Sequence, residues 1–390
     1  MELTFSESEQ AFREEARAWL ASHVPREPLP SLETAEGFAA HREWEAELHA
    51  GGWSVVSWPQ EYGGRGASLT EWLLFEEEYY AAGAPGRVSQ NGISLLAPTL
   101  FAHGTQEQLG RVLPPMARGE VVWAQAWSEP EAGSDLAALR SRAERADGGW
   151  LLSGQKTWSS RAAFADRAFG LFRSDPEAGR HRGLTYAMFP LSAPGVTVRP
   201  IGRLDGKPAF AEIFLDRVFV PDEDVVGQPG EGWRAAMSTA GNERGLTLRS
   251  PGRFMASASR LRALYEEAGA GDTALGERVA DAWIRARAYQ LAGYAAVSEP
   301  EGAAVSEAAR RAAGAKSSMN KVFWSRLDIA LHETALDLLG PLGELADGEP
   351  PLDGWLDGWV FALAGPVYAG TNEIQRDIIA ERLLGLPKGR

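Results

Sequence analysis

Glu243 is an acidic residue within an apolar helical stripe, and its position calls for a chemical explanation. Trp233, Ala236, Ala240, Glu243 and Thr247 follow one another at intervals of 3, 4, 3 and 4 residues. Residues at these intervals lie on one face of an α-helix. A carboxylate on such a face must be paired, protonated or functional, because burying it without a partner is costly.

Two roles for Glu243 fit this position. The local sequence alone favours a structural ion pair with Arg244 or Arg249, since many perturbed carboxylates only stabilise a fold. The alternative is a general base, because the small residues around Glu243 leave room for a bound substrate. Arg244 has two interpretations as well: a salt bridge within the helical region, or a contact with the substrate or with Glu243.

Residues 126–135 have the composition of a polar turn at the end of an apolar strand. The turn places Ser128 and Ser134 on either side of Pro130 and Gly133. Such a turn can direct backbone N–H groups and hydroxyls at a phosphate or an electron-rich ring without help from basic side chains. An ordinary loop that closes a sheet explains the same composition. The segment alone leaves both interpretations open.

Residues 154–160, Gly-Gln-Lys-Thr-Trp-Ser-Ser, form a second segment of this kind. Trp158 offers a flat face for stacking, and Ser159 and Ser160 place two hydroxyls beside it. A tryptophan packed in the core is the commoner arrangement. The segment is therefore a candidate binding surface for a planar group, with a core tryptophan as the alternative.

The surrounding chain is patterned to supply helices at both ends and strands in the middle. Ser6 and Glu9 form a capping box that begins a helix. From Val121 onward, β-branched and aromatic residues concentrate, and Asp147-Gly148 is a hairpin signal. From Gly232 the sequence becomes rich in Ala, Arg and Leu, with apolar spacing of three and four. The order of helices, strands and helices predicts an α+β fold.

This pattern predicts three domains. They are an N-terminal helical domain at residues 1–120, a middle β domain at residues 121–231 and a C-terminal helical bundle at residues 232–390. The order differs from the alternating strands and helices of a parallel sheet, and the sequence contains no Gly-x-Gly-x-x-Gly fingerprint.

Composition excludes several classes of function. The 390 residues carry a net charge of −14, so nucleic acid and anionic membrane surfaces are poor partners. The sequence has no Cys, and its six His residues lack metal-ligand spacing, so we expect neither a disulfide nor a metal site. No apolar run is long enough to span a membrane. We expect a cytoplasmic enzyme, because the N-terminus also lacks the pattern of a signal peptide.

A third segment, residues 368–385, begins Tyr-Ala-Gly-Thr-Asn-Glu-Ile-Gln-Arg. Together with residues 126–135 and 154–160, it closely resembles the flavin-dependent acyl-CoA dehydrogenase family. The likeness covers nearly the whole chain, including the Gly- and Pro-rich loop at residues 58–66. It implies a helical domain, a β-barrel-like middle domain and a C-terminal four-helix bundle.

The resemblance implies that FAD lies between the β domain and the bundle of one subunit and touches a neighbouring subunit. Trp158 and Ser160 match residues that pack on and bond to the flavin ring, and Ser134 matches a hydroxyl that contacts the pyrophosphate. The resemblance also assigns Ser134 and Arg244 to the substrate. The residues with an implied cofactor role are Gln125, Trp127, Ser128, Gly133, Ser134, Trp158, Ser160, Gly340, Gly343, Thr371 and Glu373.

The sequence departs from the family at the catalytic base. Many members have a Glu after the Tyr of the C-terminal motif, where this sequence has Ala369. One branch places the base on a bundle helix in a Glu-Arg pair, and Glu243-Arg244 stands at the matching position. With this resemblance, Glu243 is the predicted base. The backbone N–H of Ala369 can still serve as an oxyanion donor, together with a ribityl hydroxyl of FAD.

A second departure concerns the cofactor contact between subunits. The family commonly has an Arg followed by Phe-Gly after the base-bearing helix, and residues 264–272 lack this element. In the Gly-rich turn from Leu339 to Gly343, Pro341 stands where a Gly is usual. This pattern resembles bacterial members that act on bulky acyl groups such as steroid side chains, some of which pair with a different subunit.

The resemblance implies α,β-dehydrogenation of an acyl-CoA to the trans-2-enoyl-CoA, with Glu243 taking the α-proton and flavin N5 taking the β-hydride. It also implies transfer of electrons to an electron-transfer flavoprotein, and assembly as a homodimer, homotetramer or heterotetramer. Two alternatives stay open. One is a catalytically silent partner subunit of a heteromeric enzyme. The other is a dehydrogenase or oxidase of acyl groups bound to a carrier protein.

Overall fold

A computed structural model describes residues 4–243, 249–268, 271–298, 307–344 and 354–387, except for the side chains of residues 307–314. Within these ranges the chain forms eleven α-helices and eight β-strands. The helices are α1 (Glu7–His23), α2 (Ala35–Ala50), α3 (Leu69–Ala81), α4 (Ala97–His103), α5 (Gln106–Ala117), α6 (Gly232–Glu243), α7 (Pro251–Glu267), α8 (Thr273–Val297), α9 (Glu307–Leu339), α10 (Trp355–Ala362) and α11 (Asn372–Arg382). The strands are β1 (Trp123–Ala126), β2 (Arg142–Ala146), β3 (Gly149–Lys156), β4 (Arg167–Arg173), β5 (Leu184–Pro190), β6 (Val196–Ile201), β7 (Phe210–Pro221) and β8 (Val225–Val226).

Capping boxes begin three of the N-terminal helices, α1, α3 and α5. At α1 the hydroxyl of Ser6 accepts from the backbone N–H of Glu9 at 3.2 Å, and the Glu9 carboxylate accepts from the N–H of Ser6 at 2.7 Å. These reciprocal bonds satisfy N–H groups that the first helical turn leaves without partners. The capping box predicted from the sequence is therefore confirmed.

The strands form one mostly antiparallel sheet in the order β6-β7-β3-β2-β4-β5-β8, and β1 pairs in parallel with β4. Asp147 and Gly148 join β2 to β3 as the predicted hairpin. In the described part of the chain, the sheet is an open path and does not close into the barrel-like arrangement that the resemblance implied. A physical reason is that the end strand β8 has only two residues, which leaves little edge for closure.

Alternating side chains of the sheet form its apolar core. Leu152, Phe172, Phe189, Ile213 and Val218 are all fully buried in one cluster. Burial of a side chain of this size contributes roughly 1.5–3 kcal/mol relative to exposure. Neighbouring strands thus hold the ends of β1 and β3, where the two candidate segments begin.

Helix α6 begins in direct contact with the sheet. A Cβ on Gly232, the first residue of this helix, would lie 2.6 Å from the backbone nitrogen of Tyr186 in β5. Only glycine permits this approach, because real Cβ atoms do not come so close to backbone atoms. The close contact sets the starting point of the helix that carries Glu243.

The C-terminal helices pack around a second apolar core. Phe254, Leu261, Ala286, Trp324 and Leu331, from α7, α8 and α9, are fully buried there. Helix α7 also approaches α3 closely, since a Cβ on Gly252 would lie 2.8 Å from the carbonyl oxygen of Glu76. The helical pattern read from the sequence beyond Gly232 is confirmed by these elements.

The chain divides into two compact units. One unit comprises Met1–Val24, Ala67–Ala84 and Arg244–Arg390. The other comprises Pro25–Gly66 and Pro85–Glu243, and it contains the whole sheet and α6. The division into three domains with boundaries after residues 120 and 231 stays a prediction. Among the helices of the described ranges, none combines the length and the apolar character needed to cross a membrane.

Candidate functional site

The first candidate segment leaves the sheet at the end of β1. Gln125 lies opposite Phe169 of β4, and the next aromatic residue, Trp127, is buried. Two backbone hydrogen bonds of 2.9 and 3.1 Å between Glu129 and Ala132 close the following turn. Gly133 comes after this turn and is exposed, as is Ser134 beside it. The turn thus presents its backbone and hydroxyls to the surroundings, as a binding segment requires.

The second candidate segment is joined to the first by a backbone hydrogen bond. The N–H of Thr157 donates to the carbonyl oxygen of Ser128 at 2.8 Å. The structure therefore brings together the two segments that the sequence analysis selected separately. Ser160 lies half-buried in the same stretch.

Trp158 combines an unusual backbone conformation with an exposed ring. Its φ is 58°, in the left-handed region that large residues rarely adopt, and its side chain is 60% exposed. Reciprocal backbone bonds of 3.0 Å between Ser159 and Ala211 hold the adjoining residue, and the indole meets the ring of Phe210 edge-on at 6.0 Å. The expectation of a flat ring available for stacking fits this exposure, whereas a core tryptophan does not. Strain of this kind persists where the surroundings impose it, commonly at binding sites.

A buried ion pair lies beneath these two segments. Lys156 is fully buried, and its ammonium donates to the Glu129 carboxylate at 2.8 Å and to the carbonyl oxygen of Leu171 at 2.7 Å. The carboxylate also accepts from the backbone N–H groups of Arg140 at 2.6 Å and Ser141 at 2.9 Å. Sequence analysis assigned no role to this pair. The sequence does contain a signal for it. Lys156 lies four residues after the buried Leu152, so strand alternation places a lysine on the same, inward face of β3.

The pair shifts the pKa values of both partners. Burial alone would raise the pKa of the Glu129 carboxyl, but the charge and hydrogen bond of Lys156 outweigh it and hold that pKa below its usual range. Burial lowers the pKa of the Lys156 ammonium, against the attraction of Glu129. The carboxylate is accordingly the charged, hydrogen-bonded centre of the turn.

Two buried donors near these segments have no hydrogen-bond partner among the described residues. They are the indole N–H of Trp127 and the side-chain amide nitrogen of Gln125. An unsatisfied buried donor is costly, so such groups call for a ligand or water. The ring of a flavin carries nitrogen and carbonyl acceptors at one edge, and these two donors beside Ser128 fit a group of that kind. The residues present therefore fit FAD.

Helix α6 places Glu243 at its last residue, where the side chain is half-buried. Ala236 and Ala240 on the predicted stripe are buried. Thr239, one turn before Glu243, is fully buried, and its hydroxyl lies 2.7 Å from that of Thr99 in α4. The same hydroxyl lies 3.3 Å from the phenol oxygen of Tyr186 in β5. These hydroxyls fix the helix that carries the candidate base.

The β4–β5 loop lies against the first candidate segment and α6. Arg180 forms an ion pair with Asp135, which follows Ser134 in the chain. His181 packs against Trp233 of α6, with ring centroids 4.6 Å apart and the ring planes tilted by 48°. The sequence analysis did not select this loop, because its contacts depend on how β4 and β5 bring it back over the turn.

Ala369, the second residue of the C-terminal motif, has a φ of 56° and therefore lies in the left-handed region, as Trp158 does. The side-chain amide of Gln375 donates to the carbonyl oxygens of Ala369 at 3.0 Å and Gly370 at 3.2 Å. Thr371 caps α11 by accepting from the N–H of Ile374 at 3.3 Å. The motif is thus a strained turn that is held from within its own helix.

Buried polar side chains anchor the same motif to α9. Asn372 accepts from the ammonium of Lys321 at 3.0 Å and from the hydroxyl of Ser325 at 3.2 Å. The exposed Glu373 lies at the start of α11. Hydrogen bonds from the backbone N–H of Glu373 itself and from the Thr371 side chain lower the pKa of the Glu373 carboxyl. Arg249 donates to the hydroxyl of Tyr368 at 2.9 Å.

The predicted site residues fall into both compact units. Those of the sheet-containing unit are Gln125, Trp127, Ser128, Gly133, Ser134, Trp158, Ser160 and Glu243. Those of the helical unit are Gly340, Gly343, Ala369, Thr371 and Glu373. Gly340 has a φ of 54° and Gly343 is buried. Arg244 and Thr247 lie outside the described residues, as do residues 269 and 270 of the 264–272 stretch.

The comparison with family models covers most of the chain. The model for the acyl-CoA dehydrogenase N-terminal domain matches residues 6–120, that for the middle domain matches residues 124–218, and that for the C-terminal domain matches residues 230–384. Within the described ranges, no group of three or more His, Asp or Glu side chains is arranged to hold a metal ion.

Individual proteins and structures show the same likeness. "Acyl-CoA dehydrogenase IpdE1" of Mycobacterium tuberculosis is 38% identical over 390 residues, covering 97% of this chain and 98% of that protein. The "ChsE4-ChsE5 complex from Mycobacterium tuberculosis" has a chain that superposes with a TM-score of 0.85 at 29% identity, with 100% of both chains covered. A structure described as "Tcur3481-Tcur3483 steroid ACAD" gives a TM-score of 0.85 at 27% identity, also with 100% of both chains covered.

Proposed function

Because the chain belongs to the acyl-CoA dehydrogenase family, a family of FAD-dependent oxidoreductases, we propose that it converts a bulky acyl-CoA to the trans-2-enoyl-CoA. Glu243 is the proposed base. The observation that carries this assignment is a half-buried carboxylate at the end of α6 in a chain whose C-terminal motif has Ala369 at the usual position of the base.

Bound FAD supplies the acceptor for the hydride that leaves the β-carbon of the substrate. The unpartnered donors of Gln125 and Trp127 and the hydroxyl of Ser128 suit the acceptor edge of its ring. Trp158 offers its exposed indole as a stacking face. Ser160 is the proposed second contact to the ring. The exposed segment at Gly133 and Ser134 suits the pyrophosphate, and Gly340, Gly343, Thr371 and Glu373 are the proposed contacts from the helical unit.

Glu243 takes the α-proton in this proposal. Its side chain is half-buried at the last residue of α6, and a carboxylate held there by the helix can act as a general base towards a bound substrate. The hydroxyl bonds of Thr239 hold the preceding turn of α6, so the backbone that carries Glu243 is fixed before substrate binds. Arg244 is the proposed partner of the substrate or of this carboxylate.

The backbone N–H of Ala369 is the proposed donor to the thioester oxygen. An α-proton of a thioester is a weak acid, and a donor placed where negative charge develops lowers the barrier to its removal. Gln375 holds the carbonyl groups of Ala369 and Gly370, which fixes the two peptide planes that follow this N–H in the turn. Replacing the family's Glu by Ala removes a side chain and keeps this donor.

The proposed substrate class is an acyl-CoA with a bulky, steroid-derived acyl group, and the proposed electron acceptor is an electron-transfer flavoprotein. The similar structure of 27% identity is a steroid ACAD, and this supports the class. Of the small residues on α6, Ala236 and Ala240 are buried, whereas Gly241 is exposed with open space around the position of a Cβ, which supports room for a bulky group.

Anaerobic flavin reduction tests the proposal. Glu243→Gln should keep FAD bound and lower the rate of reduction by a steroidal or branched acyl-CoA by at least the roughly 10²–10⁴-fold that a general base contributes. Glu231→Gln is the matched control. It makes the same change from carboxylate to amide at an exposed residue just before α6, and it should retain the wild-type rate. A Glu243→Gln variant that reduces its flavin at the wild-type rate would exclude Glu243 as the base.

A silent partner subunit is the second candidate function. The similar ChsE4-ChsE5 structure is a complex, and the steroid ACAD likewise combines Tcur3481 with Tcur3483, which supports assembly of this chain with a different subunit. The purified chain distinguishes the two functions by its visible spectrum: a flavin that bleaches anaerobically with acyl-CoA identifies the enzyme. Hydrogen peroxide formed under air would instead identify an oxidase, and activity only with acyl-carrier protein would identify the carrier-bound substrate.

A further inference from the structure

We propose that the buried Lys156–Glu129 pair is a positioning device for FAD, which fixes the backbone between Trp127 and Ser128 against the sheet. This inference uses the FAD cofactor of the proposed function and does not depend on Glu243 being the base. It assigns a function to two side chains that lie behind the cofactor segments.

Lys156 connects three separate parts of the chain. Its ammonium donates to the Glu129 carboxylate at 2.8 Å, to the carbonyl oxygen of Leu171 in β4 at 2.7 Å, and to that of Trp127 at 3.4 Å. It also lies 4.8 Å from the centre of the Phe172 ring. One cation therefore ties β3 and β4 to the turn that follows β1.

Glu129 fixes the other end of that turn. Its two carboxylate oxygens accept the backbone N–H groups of Arg140 and Ser141, which precede β2. The turn from residue 127 to residue 141 is thus anchored at its beginning through Lys156 and at its end through Glu129. The exposed residues between the anchors, including Gly133 and Ser134, project from a fixed base.

The pair also controls the second cofactor segment. Lys156 is the last residue of β3, and the next residue, Thr157, donates its N–H to the carbonyl oxygen of Ser128. The strained Trp158 follows directly. Moving the Lys156 side chain would therefore shift both the Trp127–Ser128 backbone and the exposed indole of Trp158.

Stability alone is a poor explanation of this arrangement. Burying two charges costs several kcal/mol per ion, and apolar residues of similar volume often stabilise a core as well or better. A buried pair of this kind gains importance where it specifies one geometry among several. The geometry specified here is that of the two candidate segments. One holds the unpartnered indole N–H of Trp127, and the other holds the exposed ring of Trp158.

The test measures FAD affinity of the full-length protein after removal of the cofactor, with any co-purifying partner retained. The variants are Lys156→Met, Glu129→Gln and the double variant K156M/E129Q. The matched control is R87M/E45Q, which removes a second buried pair in the same compact unit. Arg87 and Glu45 are 10% and 1% exposed, 2.8 Å apart, and also bond a backbone carbonyl and a backbone N–H, respectively.

We expect each single variant to weaken FAD binding at least tenfold and to lower the unfolding temperature of the apoprotein. The double variant buries no net charge and should regain most of the lost unfolding temperature, yet it should still bind FAD at least tenfold more weakly and show shifted visible bands of the bound flavin. The control pair should lower the unfolding temperature while the FAD dissociation constant stays within twofold of wild type.

Two results would overturn the inference. One is a double variant whose FAD dissociation constant returns to within twofold of wild type together with its stability. The other is a control pair that weakens FAD binding as much as the Lys156 variants, which would make the effect one of general stability. If a single variant fails to fold, the double variant carries the comparison. Glu243→Gln should bind FAD normally, so failure of the base assignment is seen separately.

Discussion

Thr239→Val should loosen helix α6 without changing its shape. The substitution replaces the hydroxyl by a methyl group of nearly equal size in a fully buried position. It removes the contacts to the hydroxyls of Thr99 at 2.7 Å and Tyr186 at 3.3 Å. Since Thr239 is one turn before Glu243, the change acts on the helix that presents the proposed base.

The magnitude follows from which partner is left unsatisfied. Thr99 keeps its bond to the carbonyl oxygen of Leu95 at 2.7 Å, so the penalty falls on the fully buried phenol of Tyr186, which loses one of its two hydroxyl partners and keeps only Thr99. A buried polar group that loses its partner costs about 1–3 kcal/mol. In a Tyr186→Phe background the same substitution should cost less than about 1 kcal/mol, because no phenol is left unsatisfied.

Amide hydrogen exchange is the suitable assay, because it reports the local opening of one helix separately from unfolding of the rest of the chain. A loss of 1–3 kcal/mol corresponds to exchange of α6 amides faster by about 5- to 150-fold. Amides of the helical unit, such as those of α9, serve as the internal reference and should keep their exchange rates. We also expect slower flavin reduction with unchanged FAD affinity.

Two outcomes would refute this reasoning. If Thr239→Val leaves α6 exchange unchanged, the hydroxyl cluster does not hold the helix. If the substitution costs as much in the Tyr186→Phe background as in the wild type, the phenol is not the group that loses its partner. Either result would require another explanation for the position of α6.

Three further predictions concern single sites. Gly232→Ala should lower the unfolding midpoint by the equivalent of about 1–3 kcal/mol, because its Cβ would lie 2.6 Å from the Tyr186 nitrogen; an unchanged midpoint would contradict the close contact. Burial alone would raise the pKa of Asp205, but hydrogen bonds from the Arg203 side chain and the Lys207 backbone N–H, together with the charges of both residues, lower it to about 2. Its stabilising effect should therefore be complete above about pH 4 and lost as pH falls through about 2, and Asp205→Asn should abolish this acid dependence in unfolding measurements; an unaltered dependence would exclude Asp205 as its source. Ala369→Gly should leave thermal stability unchanged or raise it by up to about 1 kcal/mol, since relief of left-handed strain exceeds the added chain entropy; a clear loss of stability would show that Ala369 is not strained.

The parts of the fold that depend on neighbouring residues were predictable from the sequence. The capping box at Ser6 and the hairpin at Asp147-Gly148 follow from local hydrogen bonding and turn geometry, and both are confirmed. The apolar stripe of α6 placed Ala236 and Ala240 on a buried face, as the structure has them. These features need no knowledge of distant segments.

The remainder depends on contacts between distant residues. The spacing that selected the α6 stripe did not include Thr239, whose importance comes from Thr99, 140 residues away. Glu129 and Lys156 lie in the two candidate segments at residues 126–135 and 154–160, but their pairing across 27 residues follows only from the sheet order. Arg249 donates to the hydroxyl of Tyr368, 119 residues away, a contact that local spacing does not predict, and its pairing with Glu243 stays a prediction.

The left-handed, exposed Trp158 gives this protein a natural optical reporter. The chain has 14 tryptophans, and Trp158 is 60% exposed whereas nine others are buried. An indole in water emits at longer wavelengths than a buried one and is accessible to soluble quenchers such as iodide. Loss of that quenchable emission when FAD is added would follow cofactor loading in real time, with no attached dye.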